Sequence, residues 1–199
     1  IISTIFVLSV AYSMSRMRFK MRKPFMNIAM ILGLFPSFMS MIAVYYILRA
    51  LNLADGAMIR VALIIVFSAG SGAGFYVAKG FFDTISKSLD EAAIIDGATR
   101  WNVFTKITVP LSKPIIVYTI LTSFMGPWVD FIFGKVICRA DAQYYTVSIG
   151  LWKMLEKEYI DSWYTCFAAG AVVVSIPIAI LFLMTQKFYV EGMSGAVKG

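Results

Sequence analysis

Long apolar runs separated by short polar stretches dominate the chain. A bilayer core of roughly 30 Å requires about 20 consecutive apolar residues per helix, so each complete run predicts a membrane-spanning helix. The opening run, 1–14, would cover only about 21 Å as a helix, and we interpret it as part of a helix that begins before Ile1. The pattern predicts an all-α, polytopic membrane helical bundle, truncated at its N-terminus, in a single domain over 1–199. The complete runs are 25–48, 57–82, 115–137 and 163–184.

Composition and charge also indicate a lipid environment. Hydrophobic residues make up 60% of the chain and charged residues 15%, whereas a soluble domain usually carries about a quarter of its residues as charged. Twelve of the 18 basic residues fall in 15–24, in 79–114 and in the tail 187–199. Because cytoplasmic loops are enriched in lysine and arginine, we expect these regions to be cytoplasmic in a multi-pass cell-membrane protein. The net charge of +7 then reflects topology and anionic lipid, and it does not indicate a nucleic-acid partner.

Several kinds of chemistry are disfavoured by what the sequence lacks. It has no histidine, the side chain most often used as a metal ligand or general base, and no Gly-x-x-x-x-Gly-Lys-[Ser/Thr] loop for nucleotide phosphates. Cys138 and Cys166 alone cannot form a metal site. Both lie near predicted non-cytoplasmic helix ends, where a disulfide is feasible, but a small buried apolar role is favoured. We expect no catalytic residue, no metal and no directly bound cofactor.

The polar stretch 83–114 carries the most informative pattern. Ser88 and Glu91 fit a capping box at the start of a short helix, and Asp90 suits the positive end of the helix dipole. Gly97 is placed to end that helix in a left-handed conformation. Thr99 is then predicted to cap a second short helix.

The second helix is predicted to present one apolar face, formed by Trp101, Phe104 and Ile107, and to stop at Val109-Pro110. Two interpretations fit this pattern from physical reasoning alone. The loop is either a docking surface for a soluble partner or a helix pair that lies at the membrane interface without a partner.

A resemblance favours docking. The stretch resembles the EAA motif of the permease subunits of ATP-binding-cassette (ABC) importers, the loop that grips the ATPase. Because of this resemblance we call 83–114 the coupling loop. The family pattern is Glu-Ala-Ala, three residues, Gly, nine residues, Ile, one residue and Leu-Pro. Only Val109 departs from it, where leucine is usual. The resemblance implies ATPase-coupling roles for Asp90, Glu91, Ala92, Ala93, Asp96, Gly97, Ile107 and Pro110.

A second resemblance narrows the family to the maltose-type sugar permeases. The stretches Arg16-Met17-Arg18-Phe19 and Lys79-Gly80-Phe81-Phe82 look like the corresponding loops of that group, and the glycine-rich tail 190–199 is similar to its C-terminus. This likeness implies that the tail also touches the ATPase; a disordered end is the alternative. The tail residues assigned to that contact are Gly192, Gly195, Lys198 and Gly199.

The resemblance also implies partners and a mechanism. Similar permeases pair with a second homologous permease subunit, two ABC ATPase subunits and an extracytoplasmic substrate-binding protein. ATP is bound and hydrolysed by the ATPase subunits, and the coupling loop acts as a lever that switches the spans between inward-open and outward-open forms. The longest non-cytoplasmic loop, 138–162, carries scattered aromatic residues and is expected to face the binding protein.

A few residues within the spans are singled out. Pro36, Pro127 and Pro177 are expected to kink their helices, and the pair Gly70 and Gly74 is typical of close helix packing.

Asp130 is the most unusual residue in a predicted span, because a charge at that depth normally faces a cavity or a partner. It could line a sugar path with Trp128 as a stacking surface and Ser123 as a further polar group. An interfacial aspartate beside Lys135 is the alternative interpretation.

Three competing functions are weighed on sequence alone, of which the third, a membrane enzyme, is disfavoured by the missing histidine and the lack of clustered acids at membrane depth. The first is an importer for another solute, such as an amino acid, phosphate or metal. The second is an autonomous channel or ion-coupled carrier, which would be expected to carry several acids at membrane depth, whereas this chain carries mainly Asp130.

Overall fold

The computed structural model describes residues 1–35, 37–69, 74–139 and 141–196. Over these residues every regular element is a helix, which confirms the predicted fold class. Pro36 and Gly70 lie outside the described residues, so the kink at Pro36 and the close helix packing at Gly70 and Gly74 stay predictions. The α-helices are α1 Ile2–Arg16, α2 Arg22–Gly33, α3 Ser37–Ala50, α4 Met58–Ala69, α5 Gly74–Thr84, α6 Lys87–Ile95, α7 Arg100–Val103, α8 Val109–Leu111, α9 Lys113–Val129, α10 Ile132–Cys138, α11 Val147–Lys153 and α12 Ile160–Ala196.

Helix length and composition agree with several membrane crossings. The segments Met58–Thr84 and Ile160–Phe188 are long and apolar enough to span a bilayer, and two more spans result if each of two bent helix pairs counts as one. These pairs are Arg22–Gly33 with Phe38–Ala50 and Arg100–Leu111 with Lys113–Val129. Each of the four overlaps one complete apolar run of the sequence.

The predicted span 115–137 is wrong as a single helix. Helix α9 ends at Val129 and α10 begins at Ile132. Asp130 accepts a hydrogen bond from the Gly134 amide at 2.8 Å with Oδ1, so its carboxylate satisfies one of the amides that a helix start leaves unpaired. Hydropathy cannot reveal this break, because apolar residues continue on both sides of it.

The run 25–48 is also divided. Helix α2 ends at Gly33 and α3 begins at Ser37, in a stretch that contains glycine and proline, the two weakest helix formers. Pro127 and Pro177 lie inside α9 and α12 respectively, and the predicted kinks at both stay predictions.

The chain forms two compact units, each assembled from separate segments. The first unit comprises 1–33, 69–123 and 185–199, and the second comprises 34–68 and 124–184. In the first unit α1 packs against α5, and both helices place small or apolar residues three or four positions apart on the shared face. The core residues there are Val7, Ala11, Met14, Phe75, Ala78, Phe82, Ile85 and Ile115.

The second unit has its own core between α3, α4, α10 and α11. Gly134 lies at a close approach in this core, since a Cβ there would come within 3.2 Å of the Ile149 side chain and 3.3 Å of Thr146. The core residues are Leu48, Ala54, Ile59, Ala62, Ile137, Cys138 and Ile149.

Many large apolar side chains point outward along the helices, as a lipid-facing surface requires. Helix α2 has no buried residue, and α12 exposes a series of aliphatic positions. Among these positions on α12 are Val172, Val173, Ile176, Ile180 and Leu183.

Candidate functional site

The coupling loop begins with a capped helix. Helix α6 starts at Lys87, and the Ser86 hydroxyl accepts a hydrogen bond from the Ser88 amide at 3.3 Å. The expected cap at Ser88 is therefore wrong by two residues. Ser88 instead lies within the first turn, where its hydroxyl contacts that of Ser86 at 2.6 Å. The cap at Ser86 is a simple serine cap and not the predicted capping box, because the third residue after Ser86 is Leu89, which cannot bond back.

This difference gives a direct prediction. Ser86→Ala removes the cap and is expected to destabilise the start of α6 by about 1 kcal/mol, which corresponds to roughly fivefold faster amide exchange there. Ser88→Ala is the matched control, since it removes only an exposed hydroxyl contact. Hydrogen–deuterium exchange of peptides covering 86–91 measures both variants. A larger effect from Ser88→Ala would contradict the assignment of the cap.

Gly97 ends α6 as predicted. Its φ of 86° is left-handed, and its amide donates to the Ile94 carbonyl at 3.0 Å, while the Ala98 amide donates to the Ala93 carbonyl at 2.9 Å. These two bonds are the pair that defines a Schellman ending. A Cβ at Gly97 would meet nothing within 4 Å. The need for glycine therefore comes from the backbone conformation alone.

The second half of the loop begins as predicted and then departs from a regular helix. The Thr99 hydroxyl caps α7 by accepting the Asn102 amide at 3.2 Å, but Phe104–Thr108 forms a π-helix before α8. The predicted apolar face is wrong in part. Trp101 is 70% exposed, whereas the buried positions are Val103 and Thr108, five residues apart as the wider π-helical turn allows.

The expected stop at Val109-Pro110 occurs slightly later. Pro110 lies inside the short helix α8, which ends at Leu111. The chain then turns by 82° into α9 at Ser112. Proline is tolerated in the first turn of a helix because its missing amide would be unpaired there.

An arginine from the first helix anchors the coupling loop. Arg16 is the last residue of α1, and its Nη2 donates to the carbonyl oxygens of Phe82 and Ile85, each at 2.9 Å. Its Nη1 lies 3.3 Å from Oδ2 of Asp90, and the two side chains are only 4% and 15% exposed. A charge so deeply buried is tolerated only when it is paired. Arg16 therefore holds the end of α5 and the start of α6 together.

Asp83 and Tyr12 strengthen the same junction. The Ser15 hydroxyl donates to Oδ1 of Asp83 at 2.6 Å, and Lys79 forms an ion pair with that carboxylate. The Tyr12 ring packs against Phe104 with centroids 4.6 Å apart. The sequence did not predict the contact between Arg16 and Asp90, although Arg16 lies in a stretch that resembles the sugar permeases and Asp90 lies in the coupling loop.

The outer surface of the loop is unusually apolar for a polar segment. Ile95 is 85% exposed, Trp101 70% and Ile94 48%; we call these three residues the exposed patch. Large apolar side chains left exposed on a polar segment are candidates for a contact surface. Of the predicted coupling residues, Asp90 faces Arg16, Ala93 and Ile107 are half-buried, and the exposed ones are Glu91, Ala92, Asp96, Gly97 and Pro110.

Each residue proposed for a sugar path has an internal partner. Trp128 donates from Nε1 to the Val174 carbonyl at 3.2 Å and stacks on Phe124. Ser123, in the first unit, accepts a hydrogen bond from the Ser3 hydroxyl at 3.1 Å. Asp130 holds the start of α10 through Gly134, as described above.

The tail is helical further than its glycine content suggests. Helix α12 continues to Ala196, so Gly192 and Gly195 lie in the helix, while Lys198 and Gly199 fall outside the described residues. The alternative of a disordered end is wrong for the part up to Ala196.

Both cysteines are free thiols. Cys138 is buried and Cys166 exposed, and burial, with a smaller contribution from Asp141, raises the pKa of the Cys138 thiol. The protonated thiol donates to the Tyr144 carbonyl at 3.0 Å. Within the described ranges no three His, Cys, Asp or Glu side chains cluster in a way that could hold a metal ion.

Comparison with known proteins identifies the family. Residues 5–193 match the family model described as the binding-protein-dependent transport system inner membrane component. The chain belongs to this family. The match includes the whole coupling loop and covers every element described above except the first residues of α1 and the last residues of α12.

Individual relatives of the chain are sugar permeases. It is 36% identical over 199 residues to the galactooligosaccharides transport system permease protein GanQ of Bacillus subtilis, covering 99% of this chain and 69% of the relative. It is 33% identical over 198 residues to the maltose/maltodextrin permease MalG of Vibrio vulnificus, covering 95% of this chain and 64% of the relative. The chain thus spans about two thirds of these proteins.

A solved structure shares the fold. A bacterial ABC transporter involved in the import of the acidic polysaccharide alginate matches with a TM-score of 0.75 and 26% sequence identity. The match covers 94% of this chain and 69% of the other. The all-helical permease architecture is therefore common to both.

Proposed function

We propose that the chain is a permease subunit of an ATP-driven, binding-protein-dependent importer in the cell membrane. It forms half of the pathway for a sugar or oligosaccharide of the maltodextrin kind. The family and the sugar-permease relatives support this proposal. The partners are a second homologous permease, two ABC ATPase subunits and an extracytoplasmic binding protein. ATP belongs to the ATPase subunits, and this chain transmits the conformational change without an ATPase site of its own.

The observation that carries the proposal is the construction of the coupling loop. A short helix capped at one end and ended by Gly97 at the other presents the exposed patch on a base fixed by Arg16. Such a surface can transmit force because its internal bonds hold it as one piece. ATP shifts the permease between forms only through its different affinity for the two states, and a stiff loop passes that difference on to α5 and α9.

The exposed patch gives the experiment that tests this function. Ile95→Glu replaces an 85% exposed apolar side chain with a charge that must be desolvated on docking. Burying an unpaired carboxylate costs several kcal/mol, so we expect co-purification of the ATPase and sugar-stimulated ATP hydrolysis to fall by about tenfold or more.

Leu51→Glu is the matched control. Like Ile95, Leu51 is an exposed aliphatic residue, with 61% of its surface exposed, but it is predicted to lie on the opposite side of the membrane. It should leave ATPase retention unchanged, and both variants should insert normally into the membrane. Equal retention of the ATPase by Ile95→Glu and the parent would refute the proposed docking role.

The tail supplies a second proposed contact with the ATPase. The extension of α12 to Ala196 supports it, since a helix carries the segment beyond the last apolar run 163–184 in a defined direction. In this proposal Gly192, Gly195, Lys198 and Gly199 lie at that contact.

The sugar path is proposed to include Asp130, Trp128 and Ser123. Asp130→Asn removes the negative charge of the side chain but keeps its hydrogen bond with the Gly134 amide, because asparagine retains a side-chain oxygen. We expect the apparent KM for sugar uptake to rise roughly tenfold while stability is retained, as for loss of a hydrogen bond to a charged group. Asp130→Ala, which also removes the bond to Gly134, should be less stable. An unchanged KM in Asp130→Asn would remove this residue from the path.

A further inference from the structure

A cavity of about 390 Å³ lies in the first unit, where residues of the coupling loop and Arg16 line it. The end of α1, the following basic segment, α6 and α7 form its walls. Five cations line it, namely Arg16, Arg18, Arg22, Lys87 and Arg100, with Asp90 and Glu91 as the only acids among its lining residues. These groups leave a formal charge of +3 around a space of the size that small ligands occupy.

Arg16 brings unpaired buried donors to the wall of this cavity. Its side chain is 4% exposed, and its Nε and Nη1 make no hydrogen bond with the described part of the chain. The Nη1 contact with Asp90 is thus an ion pair without hydrogen-bond geometry. Buried donors left unpaired are costly, more so on a charged group. An acceptor inside the cavity would remove this cost.

The chemistry of that acceptor follows from the surrounding groups. Arg18, Arg22, Lys87 and Arg100 have no acid within ion-pair distance among the described residues, so the positive potential of the cavity favours an anion. Arginine groups match the oxygens of phosphate particularly well. Oδ1 of Asp90 is also buried without a hydrogen-bond partner among the residues that the structure describes, and because a carboxylate only accepts hydrogen bonds, a donor such as a hydroxyl would satisfy it.

We propose that this cavity binds a phosphate ester that carries neighbouring hydroxyl groups. The phosphate lies against Arg16, Arg18 and Arg22, and a hydroxyl donates to Asp90. Two sources share this chemistry, a phosphoglycerol lipid headgroup and a soluble polyol phosphate. The cavity adjoins the predicted cytoplasmic surface, where basic pockets beside membrane helices bind anionic headgroups. Occupancy would stiffen the anchor, since the ligand touches both α1 and α6.

The test uses the complete importer complex in nanodiscs of phosphatidylcholine, with radiolabelled sn-glycerol 3-phosphate as probe. We expect saturable binding that the double variant Arg18→Gln/Arg22→Gln weakens by about tenfold or more. Lys20→Gln/Lys23→Gln is the matched control, because it removes the same charge from the same segment at residues that do not line the cavity. Inorganic phosphate, which lacks the polyol hydroxyls, should bind more weakly than the ester.

A second arm distinguishes the two sources. Nanodiscs containing phosphatidylglycerol are analysed for retained lipid by native mass spectrometry and for displacement of the probe. Displacement that depends on Arg18 and Arg22 identifies the headgroup, and undisturbed probe binding identifies the soluble ester; both support the site. Equal weakening by the two double variants, or no saturable binding in either arm, would overturn it. The proposal would also be overturned if the complex bound no phosphate and the Arg18→Gln/Arg22→Gln variant lost the ATPase. The cavity would then receive an acidic side chain of the ATPase subunit.

Discussion

Gly97→Val is expected to abolish sugar-stimulated ATP hydrolysis while the protein still inserts into the membrane. The φ of 86° at this position costs an L-residue about 1–2 kcal/mol, and a β-branched side chain more. The space around the position is open, so the strain must be relieved by moving the backbone. Such movement breaks the bonds that end α6 and displaces Ile95 and Trp101 relative to each other.

The loss of activity at position 97 should depend on how well the new residue tolerates the left-handed backbone conformation, and not on the size of its side chain. Asparagine tolerates the left-handed region, so Gly97→Asn should retain most activity, Gly97→Ala less and Gly97→Val least. Gly56→Val is the control, because Gly56 also has a positive φ of 58° with nothing within 4 Å but lies outside the coupling loop. Rates of sugar uptake and ATP hydrolysis in proteoliposomes measure the series. Similar losses from Gly56→Val and Gly97→Val would show a general effect on folding.

Arg16→Met should cause the largest loss of stability. It removes both hydrogen bonds to the Phe82 and Ile85 carbonyls and leaves Asp90, whose side chain is 15% exposed, without its cation. Removing one partner of a buried ion pair typically costs about 3–5 kcal/mol. We expect a lower midpoint in denaturant unfolding of the purified permease, together with faster amide exchange across 82–95.

A double variant distinguishes the stability cost of the unpaired Asp90 carboxylate from the cost of the lost hydrogen bonds. Arg16→Met/Asp90→Asn removes the uncompensated carboxylate and should recover part of the loss, but not the two bonds to the carbonyls. Glu156→Gln provides the exposed comparison, since the Lys135–Glu156 pair is about 40% exposed on both sides and such pairs contribute about 0–1 kcal/mol. If Arg16→Met cost no more than Glu156→Gln, Arg16 would not anchor the loop.

Local sequence rules predicted much of the coupling loop because its signals involve few residues. Gly97 and Thr99 adopt the roles expected of them, since a left-handed turn and a hydroxyl cap each depend on one side chain and its immediate backbone. Ser88 was assigned the cap wrongly because the capping-box pattern with Glu91 favoured it, whereas Ser86 caps the helix through its hydroxyl alone. The π-helix at Phe104–Thr108 has no comparable local signature, and it changes which residues are buried.

Features that depend on distant residues could not be predicted in this way. Arg16 and Asp90 are 74 positions apart in sequence, and their pairing follows from the packing of α1 against α5. The break near Asp130 also escapes hydropathy, because hydropathy averages over about 20 residues, whereas the Asp130 carboxylate acts through a single hydrogen bond to the Gly134 amide at the start of α10. Residue patterns therefore predicted the apolar runs and the turns of the loop, whereas the breaks within two of those runs and the contacts that fix the loop came from the structure.

The docking role of the coupling loop is tested most directly by site-specific photo-crosslinking in the assembled importer. A photoreactive residue at Ile95 should form an adduct with the nucleotide-binding subunit, whereas the same probe at Leu51 should not. An Ile95 probe that labels only lipid, in complexes that still hydrolyse ATP in response to sugar, would contradict the proposed role of this loop.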